Sequence, residues 1–263
     1  MRPALALLTA LALMIGVANA ADTERPPERP DPAETAPTAA PEARPGTPPN
    51  ADADAGSGGA AQIPAQTAAL PARESDQDYA ACLLALSMLG TDFQERPAIT
   101  DPDDPACGIA RPVHIRQVIA GVTLEGGADM RCDTARALAL WTSQFLRPAA
   151  AALPGAPRLT GMQTGTTYDC RTRIGTGDAT PDLSEHAQGA AIDIAAFLLD
   201  GTEPLPVSPR TGTGDLPEAF QRAARGSACL FFTTVLGPGS NAAHDDHLHL
   251  DVIARNGGWR LCE

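Results

Sequence analysis

Hydrophobic positions divide this chain into stretches of different character. Met1-Arg2-Pro3 leads into an apolar run from Ala4 to Val17, and no later segment is long and apolar enough to span a membrane, which takes roughly 20 residues. From Ala21 to about Arg73 the apolar pattern gives way to Pro and Ala with almost no large side chains, and Gly56-Ser-Gly-Gly59 adds flexibility near the end. Such a stretch cannot bury enough apolar surface to fold and predicts an extended, disordered tether. Periodicity returns at Asp78–Gly90, which reads as a helix stopping at its glycine. Pro112 to Leu124 alternates around Val113, Ile115, Val118 and Val122, predicting a strand pair that turns near Gly121. Asp133 to about Ala152 is the longest helix candidate, with Leu138, Trp141, Phe145 and Leu146 near helical spacing and Asp133 available as N-cap.

Beyond Pro154-Gly155 the pattern shortens. Arg158 to Gln163 reads as a strand and Thr164 to Asp182 as a polar loop; Gly189 to Leu199 is apolar and extended, closed by the turn pair Asp200-Gly201. Pro217 to Arg225 predicts a short helix, and Leu230 to Leu236 and His247 to Ala254 two last strands flanking the Gly237-Pro-Gly239 loop. Helices early and strands late predict an α+β fold, a largely antiparallel sheet flanked by helices.

The two ends of the chain differ in kind. The charged start, the apolar run and the small residues of Ala18-Asn19-Ala20 predict a secretory signal peptide over 1–20, cleaved near Ala20. No cysteine follows it closely, which argues against a lipid anchor, and no stable membrane span is expected after cleavage. A disordered linker over 21–75 and one folded domain over 76–263 complete the organisation. All six cysteines lie in that domain and none forms a Cys-x-x-Cys pair, so up to three disulfides are expected in an oxidising compartment, best a bacterial periplasm. Six cysteines allow 15 pairings, and the sequence does not choose among them. The formal charge of −13 repels phosphate backbones, and no basic stripe with interleaved aromatics offsets it, so nucleic acid is excluded as a partner. A monomer is expected.

Two short segments concentrate the chemistry. His244-Asp-Asp-His247-Leu-His249-Leu-Asp251 holds three of the five histidines, and Ser184-Glu-His186-Ala-Gln-Gly189-Ala-Ala-Ile-Asp193 holds a fourth. Side chains alternate faces along a strand, so His247 and His249 share one face while Leu248 and Leu250 turn to the core. Either both ligate a metal, or one ligates and its neighbour works on water or substrate. In the second segment Gly189 breaks the chain, placing His186 in a loop and Asp193 within a strand, between Ile192 and Ile194. A carboxylate in that apolar setting needs a partner to offset its desolvation, and a metal ion is a sufficient one. Imidazoles and a carboxylate are the ligands of a catalytic zinc, which takes three protein donors and an open position. His114 fits neither segment and reads as an ordinary strand residue.

At these residues the sequence resembles known proteins. Ser-x-His-x-x-Gly-x-Ala-x-Asp, here Ser184 to Asp193, is similar to the signature of zinc peptidases related to D-Ala-D-Ala carboxypeptidases, and the run His244, His247, His249 resembles the penicillin-insensitive murein endopeptidase branch. Over about Cys82 to Cys262 the chain is identified as a member of the extensin-like C-terminal domain family, through its early Cys-Leu, Tyr168-x-Cys170-Arg171, the Ser-Glu-His-Ala block, the Thr-x-Val-Leu-Gly-Pro-Gly strand and His-Leu-His-Leu-Asp. The resemblance implies a D-Ala-D-Ala metallopeptidase-like fold, with His186, Asp193 and His249 as zinc ligands and His247 as the catalytic imidazole beside them. Arg171 then anchors a peptide carboxylate or the oxyanion, unless it is a surface ion pair. Tyr168, Arg173, His244, Asp246 and Asp251 are expected around substrate or behind the ligands, with Asp251 orienting a histidine. The carboxypeptidases carry a Glu-x-x-His base where this chain has Asp246-His247, which leaves the general base open. Two functions follow: a zinc peptidase cutting peptidoglycan stem peptides or crosslinks, endopeptidase before carboxypeptidase, or a non-catalytic wall- or partner-binding module that retains zinc. Retention of His247 favours the first.

Overall fold

A computed structural model of the chain describes residues 74–174, 179, 182–210 and 212–263; the expected signal peptide and nearly all of the expected linker lie outside them. Helix α1 (Asp76–Leu89) opens on Ser75, whose hydroxyl accepts the Asp78 N–H, and closes on Gly90 at φ 73°, which donates to the Leu86 and Ser87 carbonyls. After β1 (Asp92–Glu95) come a small arm, β2 (Ile99–Thr100) with β3 (Gly108–Ile109), and the hairpin β4 (Pro112–Ile119) and β5 (Val122–Arg131), turning at Gly121 as its alternation predicts. Next are α2 (Cys132–Trp141), a π-turn over Thr142–Leu146 and α3 (Arg147–Ala151). The second half holds β6 (Leu159–Thr164), β7 (Ala191–Leu199), β8 (Leu205–Pro206), α4 (Leu216–Ala228), β9 (Thr234–Leu236), β10 (Leu248–Asp251) and β11 (Leu261–Cys262).

The strands form a mixed, largely antiparallel sheet in the order β1-β4-β5-β6-β7-β10-β9-β11; only β5/β6 and β9/β11 run parallel. β7 is its centre: β6 pairs along one edge, and β10 and β8 divide the other. Buried Trp141 meets Phe197 and Phe232 edge-on, with ring centroids 6.2 and 6.1 Å away, and its indole N–H donates to Ser227, so α2, β7 and α4 share one core.

Four expectations need correction. The last strand, expected over His247–Ala254, keeps only Leu248–Asp251. Asp133 is not the N-cap of α2: that position is Arg131, whose guanidinium engages the Asp133 carboxylate, while Asp133 also accepts the Thr134 N–H. The long helix is interrupted by the π-turn, where the Thr142 hydroxyl bonds back to the Leu138 carbonyl. The strand expected over Leu230–Leu236 keeps only Thr234–Leu236, because the chain leaving α4 turns through Leu230–Phe232 on bonds back to Ser227 and Ala228.

All six cysteines pair: Cys82–Cys132, Cys107–Cys170 and Cys229–Cys262. The bridges tie α1 to α2, the β3 arm to the polar loop, and the end of α4 to β11. Three such bonds point to an oxidising, non-cytoplasmic environment. Among the described residues, no helix is long and apolar enough to cross a membrane.

Candidate metal centre

The register of β10 on β7 builds the site. Leu248 lies opposite Ile194, His249 opposite Asp193 and Leu250 opposite Ile192. Residues opposed in an antiparallel ladder share a face. The four aliphatic side chains are therefore fully buried on the core side, and His249 and Asp193 project together on the other. His186 arrives from a 3-10 turn over Glu185–Gln188, capped by Ser184 and ended by Gly189 at φ 63°. A Cβ at Gly189 would lie 2.3 Å from Ile109 Cδ1, so both the backbone angle and the space require glycine there. On the opposite side the chain after β6 folds onto Asp193: Gly165 N–H donates to its carbonyl, and its own N–H donates to the Thr166 carbonyl.

Three donor atoms converge. His249 Nδ1 is 3.0 Å from His186 Nε2 and 3.1 Å from Asp193 Oδ1, and His186 Nε2 is 3.3 Å from the same oxygen. An ion bound tetrahedrally at about 2.0–2.1 Å has ligand–ligand edges of about 3.3 Å. The triangle therefore fits one face of such a tetrahedron, and all three residues are buried. The ring atoms away from the triangle are committed. His186 Nδ1 lies 2.7 Å from the Thr167 carbonyl, which only accepts, so the proton sits on Nδ1 and the Nε2 lone pair faces the triangle. His249 Nε2 lies 3.4 Å from Asp251 Oδ2, and Asp251 is itself held by the Thr233 hydroxyl and the Ile253 N–H.

Without a cation these atoms crowd around a proton. Burial opposes charge on His249, but its bonds to Asp193 and Asp251 win and push its pKa up to about 9. Burial would raise Asp193, yet the His186 and His249 imidazoles packed against its carboxylate hold it well below the usual carboxylate range. The three groups could equally hold a metal ion in place of that proton.

The other histidines stand at the mouth. His247 immediately precedes β10; its Nε2 is 3.7 Å from Asp193 Oδ1 and its Nδ1 is 2.8 Å from Asp246, an exposed carboxylate. His244 bonds Asn241, lies 5.3 Å from the His247 ring and 5.8 Å from the His249 ring, and is pushed down to about 4 by burial and by the charges of His249 and His247. The triad and these two histidines line an open groove of about 510 Å³, with Arg171 and Arg173 also on its wall. Arg171 is tied to Asp169 and the Thr172 carbonyl. Tyr168 is not among the groove residues: its hydroxyl is buried without a partner among the described residues, and burial and then Asp101, Asp104 and Asp169 raise its pKa. His114 pairs with Asp129 on the hairpin, away from the site.

A second buried cluster, Glu185 with His249 and Asp251, adjoins the first. Arg173 forks onto the Glu185 carboxylate, supplying the cation there already. Glu185 thus sets the Arg173 guanidinium in the groove wall. Neither Glu185 nor Arg255, which bonds Thr234 and stacks on Trp259, stands out in the sequence; only the position of Glu185 inside the Ser-Glu-His block hints at it. A third set of nearby groups, Asp104 with Cys107 and Cys170, is closed to metal because both sulfurs are in a disulfide.

Residues 80–263 match the family described as the extensin-like protein C-terminus, and the chain belongs to that family. Neither a curated protein nor a solved structure matches it.

Proposed function

We propose that this extensin-like domain is a zinc-dependent peptidase acting on peptidoglycan stem peptides or crosslinks outside the cytoplasm, with crosslink cleavage preferred over trimming of a terminal D-Ala. One observation carries the reading: three buried donors with tetrahedral spacing sit at the floor of an open groove, beside an imidazole that is not one of them. His186, Asp193 and His249 would hold the ion, a two-imidazole, one-carboxylate set that suits zinc. When bound, zinc supplies a Lewis acid that polarises the scissile carbonyl.

The remaining work falls to the chain's own residues. Asp246 accepts the His247 Nδ1–H, which leaves His247 Nε2 able to take a proton from the water that attacks the scissile carbonyl and return it to the amine that leaves as the C–N bond breaks. The same carboxylate stabilises the imidazolium formed in between. Arg171 offers a planar fork for a peptide carboxylate, and the closed bridge Cys107–Cys170 restrains the loop that carries it. Arg173, fixed by Glu185, adds positive charge to the same wall of an acidic protein. A D-Ala-D-Ala metallopeptidase-like fold over 76–263, a cleaved signal over 1–20, a linker over 21–75 and a periplasmic location complete the reading.

The test is incubation of the exported chain with crosslinked muropeptides, with and without a chelator. Chelator-sensitive cleavage supports the peptidase. No cleavage by fully metallated protein would favour the zinc-retaining binding module instead.

A further inference from the structure

Behind the wall that carries His244 and His247 lies a second cavity, of about 730 Å³, lined among others by Arg210, Gln221, Arg222, Arg225, Asp245 and the Cys229–Cys262 bridge. The segment from Leu236 to His247 separates the two cavities: Leu236, Asn241, Ala243, His244 and His247 face the metal groove, and Pro238, Gly239 and Asp245 face this one.

Three arginines line this cavity in a chain of net charge −13. Their partners differ. Arg222, exposed, is paired with Glu218 one helical turn away. Arg210 is held by neutral acceptors, its Nε by Gln221 and its Nη2 by the Pro206 carbonyl, and Gln221 is itself fixed on both sides by the Ser208 backbone. Arg225 gives Nη1 to the Pro238 carbonyl, and its stem crosses Gly237, where a Cβ would also meet Leu248 at 2.7 Å. Among the described residues no carboxylate forms an ion pair with Arg210 or Arg225. Burial lowers the Arg225 pKa, and the Glu263 carboxylate, which acts on it without forming an ion pair, only partly offsets this. Two half-buried positive charges are thus oriented by neutral groups, with Arg210 Nη1 and Arg225 Nε and Nη2 left to donate. Such an arrangement costs desolvation and side-chain entropy in advance, which an arriving anion does not then have to supply. Asp245 at the rim opposes an anion, but its carboxylate is turned to the Gly239 N–H.

We propose that this pocket is an oxyanion-binding site, in which Arg210 and Arg225 grip a carboxylate or phosphoryl group and Arg222 contributes from the rim. The site is independent of the metal and of the peptidase reading. Its two chemical sources are separable with inorganic phosphate and glutarate as probes, followed through the arginine Nε–Hε resonances of the labelled exported chain. The expected result is saturable movement of the Arg210 and Arg225 signals with at least one probe, the tighter probe naming the source. Arg210→Ala and Arg225→Ala should each weaken binding at least about tenfold, the scale of a lost charge-assisted bond, and Arg222→Ala about twofold or less. If Arg225→Ala does not fold, Arg210→Ala together with Arg225→Lys, which keeps the charge and loses the fork, carries the comparison. Shifts that grow linearly without saturation, or that persist in the arginine variants, overturn the proposal.

Discussion

His249 and Asp193 stand directly opposite each other on adjacent antiparallel strands, with Nδ1 of one 3.1 Å from Oδ1 of the other. Their neighbours Leu248, Leu250, Ile192 and Ile194 are fully buried on the other face, so the apolar core fixes the register that brings the two polar side chains together. A one-residue slip of β10 would send His249 into the core and turn Leu248 and Leu250 out of it, so the register is set by burial. His249→Ala should lose most of the zinc, since two protein ligands rarely suffice, while the fold persists in metal-free protein. Elemental analysis of the purified variant measures it; full occupancy would refute the ligand assignment.

The protonation of the triad predicts a pH signature. In metal-free protein His249 has its pKa raised to about 9, so its contribution to stability is complete below the unfolded value of about 6.5 and is lost as pH rises through about 9. Asp193 is lowered, so its contribution is complete above about 3.9 and is lost as the solution becomes more acidic. This pair therefore favours the metal-free fold most between about pH 4 and 6.5. At pH 7.5 zinc must expel the His249 proton, and calorimetry in buffers of different ionisation enthalpy should find about one proton released per ion bound. A binding enthalpy that ignores the buffer would show that His249 carries no such proton.

Much of this site was legible in the sequence, for a physical reason. Period-two alternation at His247-Leu-His249-Leu and the flanking Ile192 and Ile194 state which side chains share a face, and Gly189 marks where the chain must turn to return His186 to Asp193. What escaped depends on contacts far apart in sequence. The Glu185–Arg173 fork, the Thr167 carbonyl that sets the His186 tautomer and the cysteine pairing have no local signature. Asp133 misled because Ser, Asp and Asn at a helix start usually cap it, and here Arg131 competes for the carboxylate.

The bridges carry a stability prediction. Cys82–Cys132, Cys107–Cys170 and Cys229–Cys262 close spans of 50, 63 and 33 residues. Removing any one should cost roughly 2–5 kcal/mol in denaturant unfolding. Mass spectrometry of the exported chain should find no free thiol; titratable thiols there would contradict the three-bridge structure.

Arg171 is tethered by Asp169 and lines the groove without touching the triad. Arg171→Ala should therefore leave zinc content full and raise KM for stem peptides at least about tenfold, as expected for a lost charge-assisted bond. Unchanged kinetics on several muropeptides would make its pairing with Asp169 purely structural.

His247 separates a ligand from a catalytic group most directly. Its Nε2 lies 3.7 Å from Asp193 Oδ1, outside the triangle of donors, and its Nδ1 is turned to Asp246. Zinc content and cleavage of crosslinked muropeptides, measured on the same preparation of His247→Ala, should give full metal and hydrolysis at least about 100-fold slower than wild type. Loss of metal in that variant would make His247 a ligand, and undiminished cleavage would move the proton transfer to another group; either result contradicts the assignment.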